Sequence, residues 1–290
     1  MEAVYNKYFR DNLPHIWCPG CGNGIVMSAF ARAMEKLGYK QNETMVISGI
    51  GCSSRISGYL DFNTIHTAHG RALAFATGAK IAEPKMKMFV FMGDGDAAAI
   101  GGNHLIHACR RNIDMTAIVI NNHIYGMTGG QFSPLTPHGK KATTAPYGNV
   151  DREFDFVELV KGAGATYVAR GDIFHARTLT NLIVEAAKHK GFSVVEVIST
   201  CPISYGRHNQ MPDPAEMIQY IKEHTISIEK AKKLLPEQGG GTYPSLSGRF
   251  INIDKLKDMY VVGRHYVEEN VPEYCEEMEA MIKRVKGGAK

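Results

Sequence analysis

The sequence predicts an α/β protein in which helices flank a doubly wound, mostly parallel sheet. Short apolar runs such as residues 88–92 contain no polar side chain, which is typical of strands buried on both faces. These runs alternate with segments of helical spacing, and that alternation favours a parallel sheet with helical crossovers. Beyond Gly206 the alternation weakens. We therefore expect one α/β domain over residues 1–210 and a helical or irregular C-terminal appendage over residues 211–290.

Most elements of the domain follow from a local pattern. Residues 24–37 place their apolar side chains on one helical face, and Gly38 is a natural C-cap. The helix predicted over residues 67–82 is stopped by Pro84. By the same reasoning, further helices are predicted over residues 102–112, 154–162 and 175–188, and strands over residues 45–50, 88–92, 116–120, 166–169 and 192–198.

The remaining segments lack a strong periodicity. Residues 1–17 are expected to form an extended arm, and residues 132–148, rich in Thr, Pro and Gly, a long loop. Loops of this length are usually functional. In the appendage we expect residues 214–233 to be helical, residues 238–244 to form a flexible loop, and residues 255–281 to carry charge and short helices. With so few buried-looking strands, the appendage is expected to pack on a partner subunit.

Composition excludes several classes of protein. The chain has 290 residues, of which 44% are hydrophobic and 21% charged, and its net charge is +4. No apolar run approaches the roughly 18–20 residues of a membrane span, and the first residues lack the apolar stretch of a signal peptide. No Lys/Arg run is dense enough to indicate nucleic-acid binding. We expect a cytoplasmic protein, in which six cysteines favour metal or redox chemistry over disulfides.

Polar turns follow two of the predicted strands. Asp94 comes directly after residues 88–92, and Asn122 follows residues 116–120. Open α/β sheets bind ligands at the carboxyl ends of their strands. Carboxylate and amide oxygens suit Mg²⁺, the backbone carbonyl of Ile124 could supply a third ligand, and flanking glycines let the backbone approach a phosphate. The pattern indicates a diphosphate held through Mg²⁺.

A competing interpretation is direct dinucleotide binding, because residues 93–98 formally fit the fingerprint G-x-G-x-x-G/A after a strand. Asp94 and Asp96 would place two carboxylates beside a bare pyrophosphate, and the two would repel it unless a cation intervened. The acidic residue expected after the next strand is also missing, since Asp114 precedes that strand. The two acids therefore favour a metal-bridged diphosphate.

Four of the cysteines stand at positions that suit a metal centre. Cys18 and Cys21 form a C-x-x-C pair in a Gly/Pro loop, while Cys52 and Cys201 each follow a predicted strand. Four thiolates can hold a [4Fe–4S] cluster. Zinc and a redox dithiol are alternatives that the residues alone leave open. Cys109 and Cys275 are expected to be structural.

Other polar residues near these turns have two interpretations each. His69 could orient a cofactor or substrate, or it could cap a helix. Arg55 could pair with a substrate carboxylate, or it could be an exposed loop arginine. Residues 128–131 could offer backbone N–H groups to a phosphate, or they could form a plain turn.

The motifs together resemble a known family. GDG at residues 93–95, followed by NN at residues 121–122, resembles the thiamine diphosphate motif. The longer string GDGDAAAIGGNHLIHACRRNID…INNHIYGMTGGQ resembles the β subunit of 2-oxoacid:ferredoxin oxidoreductases, and most of all the 2-oxoglutarate branch. The resemblance covers residues 10–210 well and the tail poorly. It implies a thiamine diphosphate-binding fold, specifically the half that holds the diphosphate.

The resemblance also assigns residues. It implies that Asp94, Asn122 and the Ile124 carbonyl hold Mg²⁺. It implies that a [4Fe–4S] cluster is bound by Cys18, Cys21, Cys52 and Cys201. Catalytic roles are expected for His69 and Arg55. The residues expected to line the cofactor are Gly51, Cys52, Ser53, His69, Gly93, Asp94, Gly95, Asp96, Asn122, Tyr125, Gly126, Met127 and Thr128.

The implied activity is thiamine-dependent oxidative decarboxylation of 2-oxoglutarate with coenzyme A, giving succinyl-CoA and CO₂. Electrons would pass through the cluster to ferredoxin, and the reverse reaction is possible. A chain of this length has no room for a pyrimidine-binding domain, so a larger α subunit would supply it in a heterodimer or a dimer of heterodimers. Pyruvate or a branched-chain 2-oxoacid is an alternative substrate. A non-catalytic electron-transfer or zinc-binding subunit is an alternative of a different class.

Overall fold

The computed structural model describes residues 2–234 and 259–287, and within these residues eight strands form one sheet. In chain order the strands are β1 Thr44–Ser48, β2 Asn63–His66, β3 Lys87–Gly93, β4 Met115–Asn121, β5 Tyr167–Asp172, β6 Phe192–Ile198, β7 Thr225–Ser227 and β8 Tyr260–Val267. Their spatial order is β2-β1-β3-β4-β6-β5-β8-β7. Strands β1 to β6 pair in parallel, whereas β8 runs antiparallel to β5. The predicted fold class, a mostly parallel sheet flanked by helices, is confirmed.

Helices cover both faces of the sheet. They are α1 Glu2–Tyr8, α2 Asn23–Leu37, α3 Ile56–Tyr59, α4 Ala72–Ala82, α5 Gly102–Arg111, α6 Phe156–Gly162, α7 Ala176–Lys188, α8 Pro214–Glu223, α9 Ile228–Leu234 and α10 Tyr274–Gly287. Among the described residues, no helix combines the length and apolar character needed to cross a membrane.

Strand β3 shows how the apolar runs build the core. Phe89 and Phe91 pack into a cluster with Phe30 of α2, while Val90 and Met92 pack into a second cluster on the opposite face. Side chains of a strand alternate between faces, so a run with no polar residue must bury both. Two apolar layers therefore hold β3 at the centre and fix where its carboxyl end lies.

The predicted elements of the domain are present, with boundaries that move by a few residues. Helix α2 ends at Gly38, whose φ of 66° is the left-handed C-cap that the sequence predicted. The helix predicted from residue 67 begins at Ala72, because residues 67–70 form a turn beside β1 instead. The prediction of an extended arm over residues 1–17 is wrong at its start, because the first residues form helix α1, which buries Tyr8.

The C-terminal segment differs most from expectation. The helix predicted over residues 214–233 is interrupted by β7, and β8 lies within residues 255–281, where only short helices were expected. Both strands join the sheet, so the description of this segment as a helical or irregular appendage is wrong for them. The sheet continues across the predicted boundary at residue 210, while packing on a partner subunit stays a prediction. The loop predicted over residues 238–244 lies outside the described residues.

Candidate active site

A cleft opens at the carboxyl ends of β1, β3 and β4. The register aligns Gly93, the last residue of β3, with Ile120 near the end of β4, so the two polar turns emerge side by side. The cleft is lined by Ile50, Gly51, Cys52, Ser53, His69, Gly93, Asp94, Gly95, Asp96, Asn122, Ile124, Tyr125, Gly126, Met127 and Thr128. All thirteen residues predicted to line a cofactor are among them, and Ile50 is the one the sequence did not suggest. Their role in binding stays a prediction.

Three oxygen atoms converge at the floor of this cleft. The side-chain oxygen position of Asn122 lies 2.8 Å from the carbonyl oxygen of Ile124 and 3.3 Å from Oδ1 of Asp94. If the amide were turned by 180°, its nitrogen would donate to both of these acceptors. Without that turn the three acceptors face one another, an arrangement that is unfavourable unless a cation lies between them.

Asp94 is buried, with 2% of its surface exposed, and Ser133 Oγ donates a hydrogen bond to its Oδ2. Burial raises the pKa of the Asp94 carboxyl to about 7, because desolvation disfavours its charged form. The sequence did not single out Ser133. Its one available signal was its position in the loop over residues 132–148, which was predicted to be functional.

Asp96 faces away from the three oxygens and holds the turn that carries His69. Its Oδ1 accepts a hydrogen bond from the backbone N–H of Gly70 at 2.7 Å and lies 2.8 Å from Nδ1 of His69. The second contact is close, but Nδ1 of His69 is poorly aligned for a hydrogen bond. Burial raises the pKa of Asp96. Helix α4 begins beyond this turn with no side-chain cap, which disfavours the helix-capping interpretation of His69.

Tyr125 covers the turn after β3. Its hydroxyl donates to the carbonyl oxygen of Gly95 at 3.0 Å, and its ring centroid lies 5.8 Å from that of His69. A Cβ at Gly95 would lie 2.1 Å from the Tyr125 ring, so only glycine allows this approach. Burial, followed by the charges of Asp94 and Asp96, raises the pKa of Tyr125 to about 12.

The four cysteines predicted to bind a cluster meet beside the same cleft. A Cβ on Gly126 would lie 3.4 Å from Sγ of Cys201 and 3.6 Å from Sγ of Cys52. Cys21 lies close enough to Cys18, Cys52 and Cys201 for their charges to contribute to its raised pKa. The fold thus brings together thiols that lie up to 183 residues apart in the sequence, as the numbers of Cys18 and Cys201 show.

Hydrogen bonds fasten the loop of Cys18 and Cys21 to the strand ends. The indole nitrogen of Trp17 donates to the carbonyl oxygen of Cys52 at 2.7 Å. Thr200 Oγ1 donates to the carbonyl oxygen of Gly20 at 2.8 Å. These contacts tie the loop to both the turn after β1 and the turn after β6, and so set the spacing of the thiols.

Three of the four cysteines, Cys21, Cys52 and Cys201, are half-buried, whereas Cys18 is exposed. Burial raises the pKa of Cys21 to about 12 and that of Cys52 to about 11, and it also raises the pKa of Cys201. Across residues 2–234 and 259–287, no three or more His, Cys, Asp and Glu side chains form a group that could hold a metal ion.

Among the residues predicted to be catalytic, Arg55 lies outside the cleft lining, whereas His69 belongs to it. Arg55 ends the short turn Ser53–Arg55, and its side chain is exposed. Burial, followed by the charge of Arg55, lowers the pKa of His66. Cys109 and Cys275 are both buried. Cys109 packs in the second apolar cluster, which agrees with its predicted structural role.

Comparisons with known proteins bear directly on this cleft. Residues 49–197 match the family described as "Thiamine pyrophosphate enzyme, C-terminal TPP binding domain". The chain is 50% identical over 281 residues to 2-oxoglutarate synthase subunit KorB of Methanocaldococcus jannaschii, which covers 97% of each chain. It is 56% identical over 225 residues to the KorB subunit of Archaeoglobus fulgidus, which covers 77% of this chain and 82% of that one.

A solved structure shares the fold. It is described as "2-oxoglutarate:ferredoxin oxidoreductase from Magnetococcus marinus with 2-oxoglutarate, coenzyme A and succinyl-CoA bound". The match has a TM-score of 0.82 and 31% identity, and it covers 97% of this chain and 90% of that chain. Fold and cleft define a thiamine diphosphate-binding domain. More narrowly, the chain belongs to the family of 2-oxoacid:ferredoxin oxidoreductase β subunits that includes the KorB subunits. The resemblance stated from the sequence is confirmed.

Proposed function

We propose that this chain is the β subunit of a 2-oxoglutarate:ferredoxin oxidoreductase. The enzyme would oxidatively decarboxylate 2-oxoglutarate with coenzyme A to succinyl-CoA and CO₂, pass the electrons to ferredoxin, and be able to run in reverse. The observation that carries this proposal is the meeting of Asp94, Asn122 and the Ile124 carbonyl at the floor of one cleft, with four cysteines gathered beside it.

The three oxygens fit Mg²⁺. Ligands in adjacent positions of an octahedral Mg²⁺ site, with bonds of about 2.1 Å, lie roughly 3 Å apart. The separations of 2.8 and 3.3 Å bracket that value. A bound cation would also favour the ionised form of Asp94, whose pKa burial otherwise raises. Gly93 and Gly95 flank Asp94 in the lining of the same cleft.

Thiamine diphosphate, when bound, supplies a nucleophilic carbon that allows the 2-oxo acid to lose CO₂. The chain's own residues would bind the diphosphate and orient the cofactor and the substrate. Asp94, Asn122 and Ile124 would fix the diphosphate through Mg²⁺, and Tyr125 closes the cleft over Gly95. Asp96 holds the ring of His69 at the edge of the cleft, where it would orient cofactor or substrate. For Arg55 we retain the prediction that it pairs with a substrate carboxylate.

The thiols fit a [4Fe–4S] cluster by number and type. Cysteine thiolates are the usual ligands of such clusters, and a cluster spreads its four ligands around several metal atoms rather than one. Ligation would displace the protons that burial now favours on Cys21, Cys52 and Cys201. The described residues offer one such set of four cysteines, so an external carrier, ferredoxin, would take the electrons onward.

The site would be completed by another chain. Thiamine enzymes use a second, pyrimidine-binding domain, and the single described sheet forms only the diphosphate-binding one. We therefore propose a larger α subunit as partner, in a heterodimer or a dimer of heterodimers. We also propose that the complex works in the cytoplasm, where thiols stay reduced.

Anaerobic reconstitution with the α subunit tests the proposal. We expect a brown complex with about four irons per β chain, and ferredoxin reduction that requires thiamine diphosphate, Mg²⁺, coenzyme A and a 2-oxoacid. A panel of 2-oxoglutarate, pyruvate and branched-chain 2-oxoacids would rank the substrates. A colourless, zinc-containing complex without activity would instead support a non-catalytic zinc-binding subunit. Higher turnover with pyruvate would reject the proposed substrate.

A further inference from the structure

His123 stands between two of the residues proposed to hold Mg²⁺, Asn122 and Ile124. Its φ is 63°, in the left-handed region that side chains with a Cβ rarely adopt. Its backbone N–H donates to Oδ1 of Asn121 at 3.2 Å, and its carbonyl oxygen accepts from Thr136 Oγ1 at 2.6 Å. A conformation this uncommon persists because its surroundings hold it.

Contacts of the imidazole ring also stabilise this backbone conformation. Nδ1 lies 3.0 Å from the carbonyl oxygen of Leu135, and Nε2 lies 2.9 Å from the hydroxyl of Tyr260. The Leu135 oxygen can only accept, so Nδ1 donates to it and Nε2 of the neutral ring accepts from Tyr260. The ring of Tyr260 is nearly parallel to the imidazole, at 18° and 5.9 Å, and Tyr205 packs 5.5 Å away.

Tyr260 reaches this position from a distant part of the chain. It is the first residue of β8 and lies 137 residues after His123. Its backbone N–H donates to the carbonyl oxygen of His224 at 2.7 Å, and β8 pairs with β5 in the main sheet. Its side chain is buried, with 6% exposure. The sheet therefore fixes Tyr260, and Tyr260 contacts the ring that stands between the two proposed ligands.

We propose that Tyr260 is a positioning residue for the Mg²⁺–diphosphate site, acting through His123. This inference rests on the proposed function, since it concerns the same site. The Tyr260 hydroxyl anchors the imidazole, and the anchored imidazole holds the left-handed backbone. That backbone sets the direction of both the Asn122 side chain and the Ile124 carbonyl. Groups that orient metal ligands in this way tune metal affinity without touching the metal.

Tyr260→Phe tests this inference, because it removes the hydroxyl and keeps the ring. The matched control is Tyr266→Phe, on the same strand, whose hydroxyl donates to Glu268 at 2.7 Å and lies away from the cleft. Both variants are assembled with the α subunit and stripped of metal. Isothermal titration then gives the Kd of Mg²⁺ at saturating thiamine diphosphate, and thermal melting of the metal-free complexes gives Tm.

We expect Tyr260→Phe to weaken Mg²⁺ binding by about threefold to tenfold, below the 10- to 100-fold typical of groups that touch a ligand directly. The control should keep the wild-type Kd. An unchanged Kd in Tyr260→Phe, with or without a lower Tm, would overturn the inference, because a purely structural role moves Tm alone. If the wild-type complex itself showed no Mg²⁺-dependent binding of thiamine diphosphate, the proposed function would fail instead.

A second variant keeps the inference testable if Tyr260→Phe disturbs folding. His123→Asn removes both ring contacts, while Asn tolerates the left-handed backbone better than most residues. We expect it to weaken Mg²⁺ binding at least as much as Tyr260→Phe. Because both residues would act through one contact, the double variant should bind no more weakly than His123→Asn alone. Additive losses would show that Tyr260 acts by another route and would overturn the inference.

Discussion

The turns after β3 and β4 form the cleft, and the C-terminal strand β8 contacts the second of these turns from behind, but the chain encodes them differently. The turns carry short motifs directly after apolar strands, and the parallel register of β3 and β4 brings Asp94 and Asn122 together. Strand β8 carries no motif, and it arrives by antiparallel pairing with β5. From it, Tyr260 reaches the backbone between the proposed ligands through His123.

This difference separates two kinds of information. Residues of the turns carry donor atoms whose chemistry can be read from residue type and spacing. Tyr260 carries a role that depends only on where its strand happens to pack. Variants that remove a donor atom should therefore lose more activity than changes elsewhere in the sheet.

The largest effect is expected for Asp94→Asn. The amide keeps the shape of the carboxyl but removes the charge that Mg²⁺ requires. We expect thiamine-dependent ferredoxin reduction to fall on the order of 1,000-fold or more, while the iron content stays unchanged. Steady-state assays with an iron determination measure both. Asp151→Asn, at an exposed loop carboxylate, is the control and should keep full activity. Activity retained in Asp94→Asn would refute the Mg²⁺ role.

A somewhat smaller effect is expected for Cys52→Ser. Loss of one thiol should cost most of the cluster iron and visible absorption, and lower ferredoxin reduction about 100-fold. Mg²⁺-dependent binding of thiamine diphosphate should persist, because the oxygen ligands remain. Cys109→Ala is the matched control, since Cys109 is buried in the second apolar cluster. It should lose about 1 kcal/mol of stability and keep its absorption. Equal iron in both variants would argue against ligation by Cys52.

Gly49→Ala tests the contact by which Asp96 positions His69. A Cβ at this position would lie 1.9 Å from Oδ2 of the buried Asp96, so the carboxylate must move. We expect thiamine diphosphate to bind about tenfold more weakly and the chain to lose about 2 kcal/mol of stability. Gly78→Ala, inside α4 with open space around it, should instead gain up to about 1 kcal/mol. Denaturant unfolding and ligand titration measure these effects.

An effect of pH on stability, with no effect on the cleft, is expected in β8. Burial, followed by the charges of Arg170, Lys161 and Lys232, lowers the pKa of His265 to about 3. The unfolded chain binds a proton there below about pH 6.5 whereas the folded chain does not. Stability is therefore present above about pH 6.5 and falls as the pH drops toward 3. His265→Gln should flatten this decline in denaturant midpoints measured between pH 4 and 7, and an unchanged slope would reject the assignment.

Local sequence patterns predicted the central strands of the sheet, the turns at their carboxyl ends and the donor atoms on those turns. Apolar runs and helical spacing are local patterns, so β3, β4 and α2 were predictable to within a few residues. Asp94 and Asn122 were predictable because strand ends of a parallel sheet share one edge. The four cysteines could be proposed as a set from their positions at strand ends and in one loop, although their spacing could not be derived.

The groups that support those donor atoms could be identified only from the three-dimensional structure. Ser133 contacts Asp94 because a long loop folds back over the cleft, and loop paths depend on contacts far along the chain. Tyr260 reaches His123 because β8 adds to β5, although only charge and short helices were expected in that segment. Pairing between distant strands stabilises the fold only when both strands are present. A short stretch of sequence therefore does not reveal it. Residue type and spacing predicted the chemistry of this cleft, whereas long-range packing fixed its geometry.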